Sequence, residues 1–204
     1  APAKTQAALF EIMEERQVTM DGQTYTMEPP FMVIATQNPI EYEGTYRLPE
    51  AQLDRFLFKI NVPYPNEEQE FKILSRFHEL GNQQIFQNIQ AVLTAQQIKE
   101  VRQLVKGIII EEKLLQYIAK IIVTTRSHKS IFLGASTRAS LAIMNAAKAI
   151  AGMSGRDFVT PEDVVYVTPY VLRHRILLTP EKEMEGISTD DVIQQVIHAI
   201  EIPR

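Results

Sequence analysis

Two apolar runs constrain the fold of this chain more than any other feature. Phe31–Ala35 is wholly apolar and Phe56–Val62 largely so, a composition typical of strands covered on both faces. A short helical pattern over Pro49–Arg55 separates the two runs. This order of strand, loop, helix and strand predicts a crossover unit, so we expect two nearly central strands of a parallel sheet and an α/β fold.

The residues ahead of these runs predict a helix and a hairpin. Apolar side chains recur at helical spacing from Thr5 to Arg16. The Asp21-Gly22 pair between short alternating runs predicts a hairpin over Val18–Met27. Because the helical pattern starts with neither a cap nor an initiator methionine, we expect the chain to begin within a larger protein and to end naturally at Arg204.

After Pro65 the pattern changes to helices alone. Four starts are indicated by a capping residue with its partner three positions later: Asn66 with Gln69, Thr94 with Gln97, Thr160 with Asp163, and Ser188 with Asp191. Periodicity predicts further helices over Leu114–Ile122 and Ala139–Ala151, the second closed by Gly152. We expect no further strand, and Pro169 should kink or stop its helix near Thr168.

Composition narrows the function classes. A formal net charge of -4 and a pI near 5.6 disfavour a nucleic-acid partner. The absence of cysteine excludes disulfides and thiolate chemistry and suits a reducing compartment, so we expect a cytoplasmic protein. The longest apolar stretches are too short to cross a membrane. Four scattered histidines without a paired carboxylate argue against a metal site.

Two candidate site residues flank the predicted strands. Asn38 follows the first strand directly, where ligands of parallel sheets bind, and its amide could hold a water or a phosphate oxygen. An Asn38-Pro39 turn explains the same residues without a ligand. Arg55 precedes the second strand and either pairs with Asp54 or another carboxylate or, at a subunit edge, reaches a neighbour's phosphate.

A third candidate is Arg138, in the first turn of a helix that Ser136 can cap. A cation is unfavourable there because the helix dipole already makes that end positive. A bound anion would resolve the conflict, whereas the alternative is an arginine turned to solvent. The basic run Arg173-His174-Arg175 is short and adjoins apolar residues, so we interpret it as a solvated edge or an intersubunit contact.

Several strings together resemble the MoxR family of AAA+ ATPases: Ala1 to Gln6, Met13 to Val18, Ala35 to Pro39, Leu48 to Phe56 and Gly134 to Ala139. The resemblance implies that residues 1–65 form the C-terminal part of an AAA+ α/β core and that residues 66–204 form its helical lid. It further implies that Asn38 is the sensor 1 residue, Arg55 the arginine finger acting on the adjacent subunit's nucleotide, and Arg138 the sensor 2 residue reaching the γ-phosphate.

The family resemblance also implies a hexameric ring that uses ATP and Mg²⁺ to remodel client proteins. The glycine-rich phosphate loop and the strand ending in Asp-Glu have no counterpart in this sequence, so we expect this chain alone to bind ATP weakly and not to hydrolyse it. Arg47 stands where the family more often has proline. Two other readings stay open: a DNA-translocating motor of the helicase type, and a scaffold that kept the fold for binding alone.

Overall fold

The computed structural model describes residues 3–37, 48–80 and 89–203. Helix α1 (Ala3–Glu15) leads into the hairpin of β1 (Gln17–Met20) and β2 (Gln23–Thr26), which pair antiparallel with Gln17 opposite Thr26. Asp21 and Gly22 take φ values of 51° and 77°, the left-handed pair that a two-residue hairpin turn requires. The predicted helix and hairpin are therefore confirmed.

The two predicted buried strands are not formed by the described residues. Residues 31–37 and 56–62 have no regular secondary structure, and Ile34 and Val62 are 81% and 88% exposed. Only the short helix α2 (Glu50–Leu53) of the predicted crossover unit is present. An apolar run becomes a central strand when neighbouring strands pair with both of its edges, and the described residues provide no such neighbours. The prediction of a parallel sheet is thus wrong for this part of the structure.

The remainder is mostly helical. Its elements are α3 (Glu67–Leu80), α4 (Ala95–Gly107), α5 (Glu112–Ser127), β3 (Ile131–Leu133), α6 (Thr137–Met153), α7 (Pro161–Leu172), β4 (Leu177–Leu178), α8 (Pro180–Met184) and α9 (Thr189–His198). The short antiparallel pair of β3 and β4 corrects the expectation that no strand would follow residue 65. No described helix is long and apolar enough to cross a membrane.

All four predicted helix caps are confirmed. Thr94, Thr160 and Ser188 each form a reciprocal capping box with the residue three positions later. Asn66 exchanges the same two hydrogen bonds with Gln69, at 2.9 and 3.0 Å. These side chains satisfy backbone N–H groups that have no partner inside the helix, which is why local sequence alone locates the helix starts.

One core unites the helices that follow α3, with α6 at its centre. This helix packs against α4, α5 and α7, and α9 packs against α5 and α7. The buried face of α6 consists of small side chains around Ile143: Ala139, Ala142, Ala146, Ala147 and Ala151. Because alanine lets helix axes approach closely, this stripe explains how three helices contact one.

Helix α7 does not stop at its proline, and α6 ends later than predicted. Helix α7 continues through Pro169 to Leu172, because Val171 and Leu172 are completely buried and their burial outweighs the one backbone bond that proline removes. Gly152 lies inside α6, where an added Cβ would come 2.9 Å from Ile108 Cδ1. Gly155, with φ of +74°, provides the left-handed turn instead.

Candidate functional site

Two arginines from distant parts of the chain converge on one carboxylate. Glu14, near the end of α1, contacts Arg55 Nη1 through Oε2 at 2.6 Å and Arg138 Nη2 through Oε1 at 2.9 Å. Arg55 follows α2, and Arg138 lies in the first turn of α6. The structure therefore brings together two of the three residues that the sequence singled out, although they are 83 positions apart.

The start of α6 confirms the predicted cap and resolves the charge conflict differently. Ser136 Oγ accepts a hydrogen bond from the Arg138 N–H at 3.2 Å and donates one to Asp54 Oδ2 at 2.9 Å. Arg138 Nη1 lies 3.5 Å from the same Asp54 oxygen. Two carboxylates, those of Glu14 and Asp54, thus neutralise the cation that the helix dipole disfavours.

Arg55 pairs with another carboxylate, that of Glu14, which is one of the alternatives that the sequence left open for this arginine. The Asp54 carboxylate is not its partner. Its Oδ1 instead accepts a hydrogen bond from Arg175 Nε at 2.8 Å. Arg175 is buried beneath the site, and burial lowers the pKa of its guanidinium while Asp54 acts in the opposite direction. Arg55 lies 5.8 Å from the centre of the Phe10 ring, and its Nε is buried without a hydrogen-bond partner among the described residues.

These side chains line a shallow pocket of about 230 Å³. Its charged lining consists of three arginines and two carboxylates: Arg55, Arg138, Arg175, Glu14 and Asp54. The balance leaves one net positive charge. Guanidinium groups present several N–H donors in a plane that matches carboxylate or phosphate oxygens, so the pocket has the chemistry of an anion site that is partly occupied by the protein's own carboxylates.

The run Arg173-His174-Arg175 is neither a solvated edge nor a contact left free for another subunit. His174 Nε2 lies 2.9 Å from the Phe56 carbonyl oxygen, and Arg173 Nη1 donates to the Lys59 carbonyl at 3.0 Å. Arg173 also pairs with Asp190, at 3.0 Å. The interpretation from sequence was wrong because it weighed only charge. Local sequence could not show that these side chains contact the carbonyl groups of residues 56–59, because only the fold brings the two segments together.

The third predicted site residue, Asn38, lies outside the described residues, as does Arg47. Within the described ranges, no group of three His, Asp or Glu side chains could hold a metal ion. The guanidinium groups of Arg55 and Arg138 have the donors to hold a phosphate group. The Glu14 carboxylate shows where a phosphate's oxygens could be held, because it already contacts both guanidinium groups.

Comparisons with known proteins match two parts of the chain to known families. Residues 1–58 match the ATPase family associated with various cellular activities (AAA), and residues 123–196 match the AAA lid domain. The chain is 42% identical to protein YeaC of Bacillus subtilis, covering 98% of this chain and 62% of that protein. It is 41% identical to the chaperone MoxR1 of Mycobacterium tuberculosis, covering 100% of this chain and 55% of that protein.

A solved structure is similar over the same span. The crystal structure of a protein from Cytophaga hutchinsonii superposes with a TM-score of 0.90 at 39% identity, covering 100% of this chain and 63% of that one. The chain thus spans somewhat more than half the length of the curated relatives it matches. Its two arginines converge from segments that match the AAA and AAA lid families, and the chain belongs to the MoxR family of AAA ATPases.

Proposed function

We propose that the full-length protein hydrolyses ATP and that Arg55 and Arg138 hold the phosphate that is transferred to water. The observation that carries this proposal is the shared carboxylate of Glu14, 2.6 Å from one guanidinium and 2.9 Å from the other. Two guanidinium groups that both contact one carboxylate are close enough to contact one dianionic phosphate at the same time. In phosphoryl transfer, such cations neutralise the charge that spreads over the phosphate oxygens in the transition state.

The Glu14 carboxylate has to release both arginines before a phosphate can bind to them. Its two carboxylate oxygens occupy the positions on both arginines that phosphate oxygens would take. A carboxylate has one negative charge and a terminal phosphate close to two, so a phosphate would compete well for the arginines. Asp54 stays engaged by Arg175 and Ser136 and would keep the backbone beside Arg55 in place during the exchange.

The contact of both arginines with Glu14 also bears on which subunit's nucleotide each arginine binds. The family resemblance implies that Arg55 acts on the neighbouring subunit's nucleotide and that Arg138 approaches the nucleotide of its own subunit. Since both side chains meet at Glu14, we propose that they act together on one nucleotide held between subunits. This arrangement requires an assembled ring, for which a hexamer is our proposal. Asn38 remains the proposed residue for positioning the attacking water, and Mg²⁺ would be held by residues other than those described.

The relatives support a role in acting on other proteins. One of them bears the name chaperone MoxR1, and we propose that this protein likewise couples ATP hydrolysis to remodelling of client proteins in the cytoplasm. The hairpin of β1 and β2 contains no Lys or Arg, which disfavours the alternative of a DNA-translocating motor. Stimulation of ATP hydrolysis by duplex DNA, tested in parallel, would favour that alternative instead.

The test is steady-state ATP hydrolysis by the full-length protein. Arg55→Ala should lower turnover by about 10³- to 10⁵-fold, roughly 4 to 7 kcal/mol of transition-state stabilisation, with nucleotide affinity largely kept. Arg138→Ala should weaken both nucleotide binding and turnover. Arg102→Ala is the matched control, since Arg102 is an exposed arginine on α4 outside the pocket. Near-normal turnover of Arg55→Ala would contradict the proposal, and no hydrolysis by the unsubstituted protein would favour a scaffold.

Mixing subunits tests whether the two arginines serve one nucleotide. Full-length Arg55→Ala and Arg138→Ala proteins are combined in equal amounts and allowed to exchange into mixed rings. If both arginines act on the same neighbouring nucleotide, each inactive subunit disables the same kind of site, and mixed rings recover little activity. If Arg138 acts within its own subunit, some sites receive Arg138 from one protein and Arg55 from the other. Clear recovery of activity would then contradict a shared site.

A further inference from the structure

The backbone on both sides of Arg55 is held by a single buried side chain, that of Arg175, which lies three residues beyond the end of α7. Arg175 Nε donates to Asp54 Oδ1 at 2.8 Å, and its Nη2 donates to the carbonyls of Asp54 and Phe56 at 2.9 and 2.6 Å. Its Nη1 donates to the Leu57 carbonyl at 3.1 Å. These four hydrogen bonds end on Asp54, Phe56 and Leu57, which lie on the two sides of Arg55 in the chain.

Every donor of this guanidinium is used. A fifth hydrogen bond, from Nη1 to the Val171 carbonyl at 2.6 Å, ties the group to α7. An arginine has five N–H donors in a rigid plane, and all five are satisfied here while the side chain is 3% exposed. A lysine has the charge but only three donors on a flexible stem, so it cannot reproduce this set.

Arg55 has few constraints of its own. Its side chain has one ion pair, to Glu14, and its Nε has no partner within the described ranges. The segment that follows it has no strand neighbour there either. The position of the Arg55 guanidinium therefore depends on where its backbone is held, and Arg175 contributes most of the side-chain hydrogen bonds that hold it.

We propose that Arg175 is a positioning residue for catalysis, which aligns Arg55 through the backbone of Asp54, Phe56 and Leu57. This inference rests on the proposed function of Arg55. It adds that the end of α7, in the helical region, and the arginine finger move as one unit. A displacement of the helical region during the ATP cycle would then carry the finger toward or away from the phosphate.

The experiment is a double-mutant cycle in the full-length protein. Arg175→Lys should lower kcat by about 10- to 100-fold, since a misplacement of about 1 Å at a catalytic group has effects of that size. KM for ATP should change by less than about threefold, because Arg175 touches only the protein. In an Arg55→Ala background, Arg175→Lys should lower kcat by less than about twofold, since a residue acting through Arg55 has nothing left to position.

A matched control separates positioning from general stability. Arg173 lies two residues earlier and also holds this segment, but at the Lys59 carbonyl, four residues beyond Arg55. Arg173→Lys should lower kcat by less than about threefold while lowering the melting temperature to a similar extent. The second variant is Arg175→Gln, whose side-chain amide has two N–H donors and no charge. It should likewise lower kcat while leaving KM for ATP nearly unchanged.

The outcomes distinguish this inference from the proposed function. If Arg55→Ala retains normal turnover, the finger assignment fails and the inference loses its basis. If Arg55→Ala is inactive as expected but Arg175→Lys stays within about twofold of the unsubstituted kcat, the finger assignment stands and the positioning role is overturned. Equal losses from Arg175→Lys with and without Arg55 also overturn it, because they would show that Arg175 acts independently of the finger.

Discussion

The helical region and the two segments 31–37 and 56–62 are both rich in apolar side chains, but they bury them very differently. The helical region places Ile143, Leu172, Ile193 and many others at or near 0% exposure in one continuous core. Residues 31–37 and 56–62 instead leave most of their large apolar side chains exposed. Apolar composition alone therefore does not create a core; the chain must also supply the opposing surface.

Helices and strands differ in how far they depend on distant parts of the chain. A helix satisfies its backbone internally and needs only one covered face, which the neighbouring helices provide here. A central strand needs partners on both edges as well as cover on both faces. Residues 56–59 have no such partners among the described residues. They are held mainly by the side chains of Arg173, His174 and Arg175, which follow α7 and bond the carbonyl groups of this segment.

The largest expected difference concerns core truncation. Ile143→Ala should lower the free energy of unfolding by about 2 to 5 kcal/mol, because it leaves a cavity where Ile143 is completely buried. Ile34→Ala, at an exposed position, should change it by less than about 0.5 kcal/mol. Urea denaturation of this chain measures both. Similar losses from the two substitutions would show that residues 31–37 are covered after all.

A smaller effect on stability is expected from pH, through the contact of His174 with the Phe56 carbonyl, which joins the helical region to residues 56–62. Burial lowers the pKa of His174 to about 4; Arg175 and Lys59 add to the lowering, and the Phe56 carbonyl and Asp54 oppose it. His174 Nε2 donates to the Phe56 carbonyl, while the buried Nδ1 has no partner among the described residues. The folded chain therefore keeps the imidazole neutral in mildly acidic solution.

The sign of the effect follows from proton uptake. Between the ordinary pKa of about 6.5 and the folded value of about 4, the unfolded chain binds a proton at this residue and the folded chain does not. The free energy of unfolding should fall as pH is lowered through this interval, by at most about 3 kcal/mol, with no further loss from His174 below it. Denaturation at pH 7, 6, 5 and 4 tests this expectation. His174→Gln, which can still donate to the Phe56 carbonyl, should flatten the dependence of the free energy of unfolding on pH. An unchanged dependence would show that groups other than His174 cause the loss of stability.

Local signals in the sequence predicted most of the helical region. The caps at Thr94, Thr160 and Ser188 and the alanine stripe of α6 depend on neighbours in the chain or on periodicity, and all are present. The end of α7 could not be predicted locally. There, burial of Val171 and Leu172 outweighs the effect of Pro169, and burial is a property of the whole fold.

The residues of the candidate site likewise divide into those that local sequence identifies and those that only the fold identifies. Arg55 and Arg138 could be identified from their local context and from the family resemblance, but Glu14 and Arg175 could not. Glu14 lies in a helix whose other acidic residues look the same in sequence, and only the fold places it between two arginines. Arg175 resembles a surface arginine until the fold places it against Asp54, which precedes it by 121 residues.

The smallest expected effect compares two helix caps with nearly the same local geometry. Ser188 caps α9, whose Val192, Ile193 and Val196 are completely buried, whereas Asn66 caps α3, whose Phe71 and Leu74 are largely exposed. Ser188→Ala should lower the free energy of global unfolding by about 1 kcal/mol, because α9 cannot fray without opening the core.

Asn66→Ala removes an equivalent hydrogen bond, the one from Gln69 N at 2.9 Å, but from a helix that the core does not need. It should leave global unfolding within about 0.5 kcal/mol and instead speed amide hydrogen exchange in the first turn of α3. Exchange measured by NMR, together with urea denaturation, separates the two effects. If Asn66→Ala lowered global stability as much as Ser188→Ala, α3 would have to unfold together with the core. The difference between helices that bury their apolar side chains in the core and segments that leave them exposed would then not apply to α3.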